Sequence, residues 1–209
     1  MSEIADDVRA DHEPVGRKLT QVNVAARRLF LEQGFAATSM DAVAREAGVS
    51  KATLYSYFAS KEALFAHLIS DECAGIQNTL VFPSLSEGIE PALRRLAEDY
   101  VRLFLTNKKN SLFRVMANES TRFPGMCLQF YETGPLSTTR RVAEFLLDAR
   151  DLGLIVVTDP MTSAMQFLNL VRGDLPLKAV LGIAALTNDN IDAQIEAGIA
   201  TFMKAYRVA

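Results

Sequence analysis

Thr38-Ser39-Met40-Asp41-Ala42-Val43-Ala44-Arg45-Glu46-Ala47-Gly48-Val49-Ser50-Lys51-Ala52-Thr53-Leu54-Tyr55-Ser56-Tyr57-Phe58 is the stretch on which the fold turns. It reads as two short helices about a tight corner. Thr38 to Asp41 sets a hydroxyl and, three residues on, a carboxylate, the pairing that caps a helix start. Met40, Val43, Ala44 and Ala47 then fall on one face at helical spacing. Gly48 closes this helix, and Ser50 caps the next, whose Leu54 and Phe58 share the inner side. Upstream, from Leu19, the residues Val22, Ala25, Ala26, Leu29 and Phe30 recur opposite Arg27, Arg28 and Glu32. They predict a supporting helix of about 15 residues that Gly34 ends as a C-terminal cap. Downstream, Ser60 caps a longer helix with Leu64, Phe65, Leu68 and Ile69 inward. A supporting helix followed by two short helices across a glycine turn is the helix-turn-helix arrangement.

Charge is distributed to match. The 209-residue chain carries a net charge of −3, which alone argues against generic nucleic-acid binding. Between Val15 and Leu68, however, Arg17, Lys18, Arg27, Arg28, Arg45, Lys51 and Lys61 outnumber Glu32, Asp41, Glu46 and Glu62, for a local net of +3. A basic segment in an otherwise acidic chain is the footprint of a localised DNA-binding face.

Beyond Pro83 the pattern stays helical, with breaks expected at Pro83 to Gly88, Asn107 to Ser111, Phe123 to Gly125, Gly134-Pro135, Asp151 to Pro160, Gly173 to Pro176 and Thr187 to Asn190. Leu154 to Val157 is the one short strand candidate. The expected fold is therefore all-α, a three-helix N-terminal helix-turn-helix domain over residues 15–62 and a helical bundle over 63–209. Residues 1–14, acidic and without periodicity, read as an arm.

The segments Ala25 to Phe30, Gly34-Phe35, Thr38 to Met40, Val43-Ala44, Ala47 to Ser50, Thr53 to Tyr55, Tyr57-Phe58 and Lys61 to Phe65 resemble the N-terminal domain of the TetR family of regulators. The second half is similar to the C-terminal domain of that family's AefR-like branch, through Phe113 to Met116, Glu119, Arg122 to Pro124, Phe130 to Glu132, Gly134-Pro135, Gly153-Leu154 and Asp159-Pro160. The resemblance implies an all-helical homodimer that represses, or occasionally activates, a promoter. It also implies release from operator DNA when a small apolar or amphipathic effector enters the C-terminal domain.

Around the second short helix, Ala52 and Ser56 lie opposite Leu54 and Phe58, with Thr53 and Tyr55 on the flanks. Thr53 and Ser56 are expected to meet base edges and Ala52 a thymine methyl. Ser50, which opens that helix, is expected among the DNA-binding residues as well. Lys51, Tyr55, Tyr57 and Lys61 suit phosphate contacts, as does Thr38 at a helix N-terminus; for the tyrosines the resemblance supports the role. In the C-terminal half Phe104, Phe113, Met116, Phe130, Tyr131, Phe145, Met165 and Phe167 are the expected pocket residues, a role that rests on the resemblance, since such residues at helical spacing are more often plain core. The segments Met161 to Arg172 and Ile191 to Tyr206 are the implied dimer interface, through Leu168, Val171, Ile195, Ile199 and Phe202.

Catalysis has no constellation here. His12 and His67 stand apart, Cys73 and Cys127 form no metal or redox pair, and no phosphate-cradling glycine loop occurs. No enzyme, cofactor or metal is expected. The alternatives are an enzyme and a helical adaptor that never touches DNA. With no apolar run near the ~20 residues that span a bilayer and no signal-peptide pattern, a cytoplasmic protein is expected.

Overall fold

The computed structural model describes residues 15–106, 112–181 and 187–208; the arm expected over 1–14 and the break expected at Asn107 to Ser111 lie outside the described residues. The fold is all-α. The chain divides between Leu68 and Ile69 into two compact units, six residues beyond the boundary expected from the sequence and inside a helix.

The first unit holds α1 (Val15–Ala37), α2 (Met40–Ala47), α3 (Lys51–Tyr57) and the start of α4 (Lys61–Thr79). Gly34 interrupts the regular ladder of α1 as expected, though not as a left-handed cap: it sits at φ 82, ψ 167, a conformation open in practice to glycine alone, and Phe35 to Ala37 resume as a last turn beyond the kink. The kink sends Phe35 inward, where its ring lies 5.6 Å from Phe30 and 5.1 Å from Phe65. Phe30 and Phe65 meet edge to face at 4.9 Å. This aromatic trio is fully buried and is the centre on which the short helices rest, together with Val22, Val43 and Leu54.

The second unit is built from α5 (Ile89–Thr106), α6 (Leu112–Asn118), α7 (Pro124–Tyr131), α8 (Ser137–Asp151), α9 (Pro160–Arg172), α10 (Leu175–Leu181) and α11 (Asn188–Tyr206). Its core is formed by the inner faces of α5, α8, α9 and α11. Gly134-Pro135 does not break the chain as expected. Glu132–Leu136 forms a π-helical turn containing Pro135, and the backbone is helical on either side, at Tyr131 and Ser137. A π turn absorbs a proline that an α ladder rejects, since the missing N–H leaves a carbonyl to be re-registered. The strand candidate reduces to an isolated bridge between Ile155 and Arg207.

The dimer expectation needs correction, and the pocket expectation does at Tyr131 and Met165. Leu168, Val171, Ile195, Ile199 and Phe202 are buried within the single chain, where α9 packs on α11, so they are not available to a second copy. Their spacing marks the core-facing stripe, which in an isolated sequence looks the same as an interface stripe. Among the pocket candidates, Phe145 and Phe167 belong to the core cluster and Met116 is buried in α6. Phe130 is half-buried. Tyr131 and Met165 are 53% and 52% exposed, on α7 and on the outer face of α9, and so line no interior space. The side chains of Phe104 and Phe113 lie outside the described residues.

Candidate nucleic-acid interface

α3 is capped by its own sequence. The Ser50 side chain accepts from the Thr53 amide at 3.0 Å, and its oxygen lies 2.8 Å from the Thr53 hydroxyl. Leu54 is fully buried and Phe58 nearly so, which fixes the helix with Lys51, Ala52, Tyr55 and Ser56 facing solvent. Thr53 and Tyr57 are half-buried on its flanks. Ser56 donates to the Thr53 carbonyl at 2.7 Å, leaving its oxygen open as an acceptor. The exposed face is thus small in the middle, at Ala52 and Ser56, with a cation and a phenol at its edges.

α2 supports this helix. Gly48, at φ 66, turns the corner in the left-handed conformation that a C-terminal cap requires. Lys51 reaches back to Asp41 at 2.6 Å with both side chains exposed, a pair worth about 0–1 kcal/mol. Arg28 of α1 pairs with Glu46 of α2. Arg45 is exposed on α2, and sequence reasoning counted it in the basic segment without giving it a contact; its position two residues after the buried Val43 carried the signal, because that places it on the outer face.

Two of the residues expected at phosphates make hydrogen bonds within the first unit. Thr38 is 2% exposed, and its hydroxyl donates to the carbonyls of Gly34 at 2.8 Å and Leu29 at 3.3 Å. It closes the kinked end of α1. The cap of α2 is Ser39, whose side chain is exposed and accepts from the Ala42 amide at 3.1 Å; the hydroxyl belongs one residue later than the Thr38 to Asp41 pattern suggested. Lys61 is half-buried, with its ammonium donating to the carbonyls of Phe35, Thr38 and Ala36.

In the second unit α9 and α11 leave one face uncovered. An open groove of about 540 Å³ runs along it, lined by Thr162, Met165, Gln166, Asn169, Leu170, Thr201, Ala205 and Tyr206. Among the described residues no three His, Cys, Asp or Glu side chains converge as metal ligands, and no helix is long and apolar enough to cross a membrane.

The sequence pattern of bacterial regulatory proteins of the tetR family matches residues 24–68, and that of the AefR-like transcriptional repressor C-terminal domain matches 91–208. The flavonoid-responsive regulator FrrA is 54% identical in sequence and superposes with a TM-score of 0.85 over 92% of this chain and 98% of its own. The HTH-type transcriptional regulator YhgD of Bacillus subtilis is 31% identical over 70% of this chain and 76% of its own. The HTH-type transcriptional activator FasR of Mycolicibacterium smegmatis is 30% identical over 95 residues, 46% of this chain. That match spans only 39% of the length of FasR. With both halves matched in order and the helix-turn-helix geometry in place, the chain belongs to the TetR family of DNA-binding transcriptional regulators, with a C-terminal domain of the AefR-like kind.

Proposed function

We propose that this protein is an operator-binding repressor that acts as a homodimer and releases DNA when a flat, polyphenolic aromatic molecule enters its C-terminal unit. The observation that carries the DNA-binding half is α3, held by Leu54 and Phe58 with Lys51, Ala52, Tyr55 and Ser56 outward. Small residues at Ala52 and Ser56 let the helix sink into the major groove, where Ala52 meets a thymine methyl and Ser56 a base-edge donor. Lys51, Tyr55 and Tyr57 take phosphates along the groove edges, joined by Arg45, while Ser50 and Thr53 hold the helix start. Lys51 exchanges Asp41 for a phosphate at little cost, because the pair it leaves is exposed and weak.

The effector class rests on the 54% identity with FrrA, whose name describes it as flavonoid-responsive. The composition of the second unit agrees, since an aromatic ligand asks for apolar walls with a few polar groups. α7 and the π turn after it contain no buried residue. Segments so thinly packed are the ones a ligand orders at least cost, which makes Phe130, on α7, the contact retained from the sequence reading. Repression is favoured over activation by the AefR-like repressor match across residues 91–208.

The test begins with an operator selected from random duplexes by the purified protein. Anisotropy titrations with a panel of flavones and flavanones should then show at least one compound that both raises the melting temperature and weakens operator binding tenfold or more. A tenfold change needs a differential affinity of only about 1.4 kcal/mol between the two arrangements. Compounds that stabilise the protein and leave operator affinity untouched refute the coupling. Failure to select any duplex refutes the DNA-binding reading and favours the adaptor.

A further inference from the structure

We infer that Lys61 is a positioning residue, a latch between the first turn of α4 and the α1–α2 corner, and not a phosphate contact. The ammonium has three protons, and each has a carbonyl: Phe35 at 2.8 Å, Thr38 at 2.8 Å and Ala36 at 3.3 Å. Its remaining side is covered by the Phe35 ring, 4.5 Å from the nitrogen to the ring centroid.

Those carbonyls are where a cation is wanted. The Gly34 kink separates Phe35, Ala36 and Ala37 from the regular ladder, and the last carbonyls of any helix lack partners and carry the negative end of its dipole. Thr38 handles two carbonyls on the near side, and Lys61 handles three on the far side. The Thr38 carbonyl immediately precedes Ser39, the cap of α2, so Lys61 fixes the direction in which α2 sets out. One turn along the same face of α4, Phe65 packs against Phe35 and Phe30. α4 thus grips the corner at two points, one polar and one aromatic. A change at α4 is therefore felt at the N-terminus of α2 and, through the Gly48 turn, at α3.

A phosphate contact and a latch differ in what salt and chemistry report. In the folded wild-type protein, reductive methylation read by mass spectrometry should leave Lys61 protected with or without DNA, whereas Lys51 reacts freely and is shielded by the operator, and Lys204 reacts in both. Lys61→Met should weaken operator binding about tenfold at every salt concentration while leaving the slope of log affinity against log salt unchanged, since no phosphate contact is lost. Its affinity for random duplex should hold, so the specificity ratio falls, which a loss of stability alone does not produce in a fully folded sample. Lys61→Arg should not rescue, because a planar fork cannot converge on three carbonyls. A slope shallower by about one unit in Lys61→Met, restored by arginine, overturns the latch. Lysine methylation at Lys61 in free protein that disappears on adding DNA overturns it as well, and needs no variant to fold.

Discussion

At the scale of single residues, Asp41 and Lys51 set a balance between self-pairing and DNA. The carboxylate holds the ammonium at 2.6 Å on an exposed surface, and on the proposed DNA-binding reading it also stands among the groups that phosphates approach. Asp41→Asn removes that competitor and one unit of repulsion. We expect operator affinity to rise by up to about fivefold at low salt, the equivalent of an exposed ion pair, and the gain to fade as salt is added. Titrations at two ionic strengths check this; weaker binding in the variant would mean that Asp41 orients Lys51 rather than restraining it. The roles of Leu54 and Phe58 were legible in the sequence, because helical periodicity alone fixes which side of α3 faces in. Those of Thr38 and Lys61 were not, since both depend on carbonyls that become acceptors only after Gly34 bends α1, and for Lys61 the Phe35 carbonyl lies 26 positions away.

At the scale of elements, the crossing of α9 and α11 is set by Gly198. A Cβ placed there would stand 2.7 Å from the Leu170 carbonyl carbon and oxygen and 2.8 Å from the Val171 Cα. These are backbone atoms, so the helices must separate rather than a side chain yield. Gly198→Ala should cost about 1–3 kcal/mol through overpacking, seen as a drop of roughly 2–4 °C in Tm per kcal/mol for a chain of this size. An unchanged or higher Tm, as expected if helix propensity decided the matter, would show the crossing to be loose. Sequence reading had no access to this, since a glycine inside a helical pattern names no neighbour. Asp159, by contrast, precedes Pro160 as a cap should. Its carboxylate accepts from the Thr162 hydroxyl at 2.6 Å and from the amides of Thr162 and Met161 at 3.1 Å each. The Thr162 hydroxyl, then these amides, hold its pKa below the ordinary value. A depressed folded pKa stabilises above the unfolded value, about 3.9 for an aspartate, and that contribution is lost as pH falls through the lower folded value. Wild type and Asp159→Asn should therefore differ most near neutral pH and converge on acidification below about pH 4, in denaturation midpoints taken across that range. A constant difference would place the effect outside the carboxylate's charge.

At the scale of the whole molecule, α9 and α11 each bury one apolar face within the chain and leave a mixed outer side exposed, with two methionines on α9. Phe167, Leu168 and Val171 meet Ile195, Ile199 and Phe202 in the core, with Gly198 drawing the helices close. The outer side leaves Met161 38% and Met165 52% exposed beside the groove that Tyr206 and Ala205 line. A two-fold partner presenting the same groove would cover it as a four-helix contact. Dimerisation matters for function because one short helix reads too few bases, whereas two such helices meet successive major grooves about 34–36 Å apart. Met165→Asp places a charge on each side of that axis, where burial leaves both unpaired. Light scattering should give twice the 23.0 kDa chain mass for the wild type and the single-chain mass for the variant. Operator binding should fall at least a hundredfold while the Tm of the helical core changes little, because Met165 is 52% exposed and stands outside the core cluster. A variant that stays dimeric moves the interface to another face; one that is monomeric yet binds the operator as tightly removes the need for two-fold recognition.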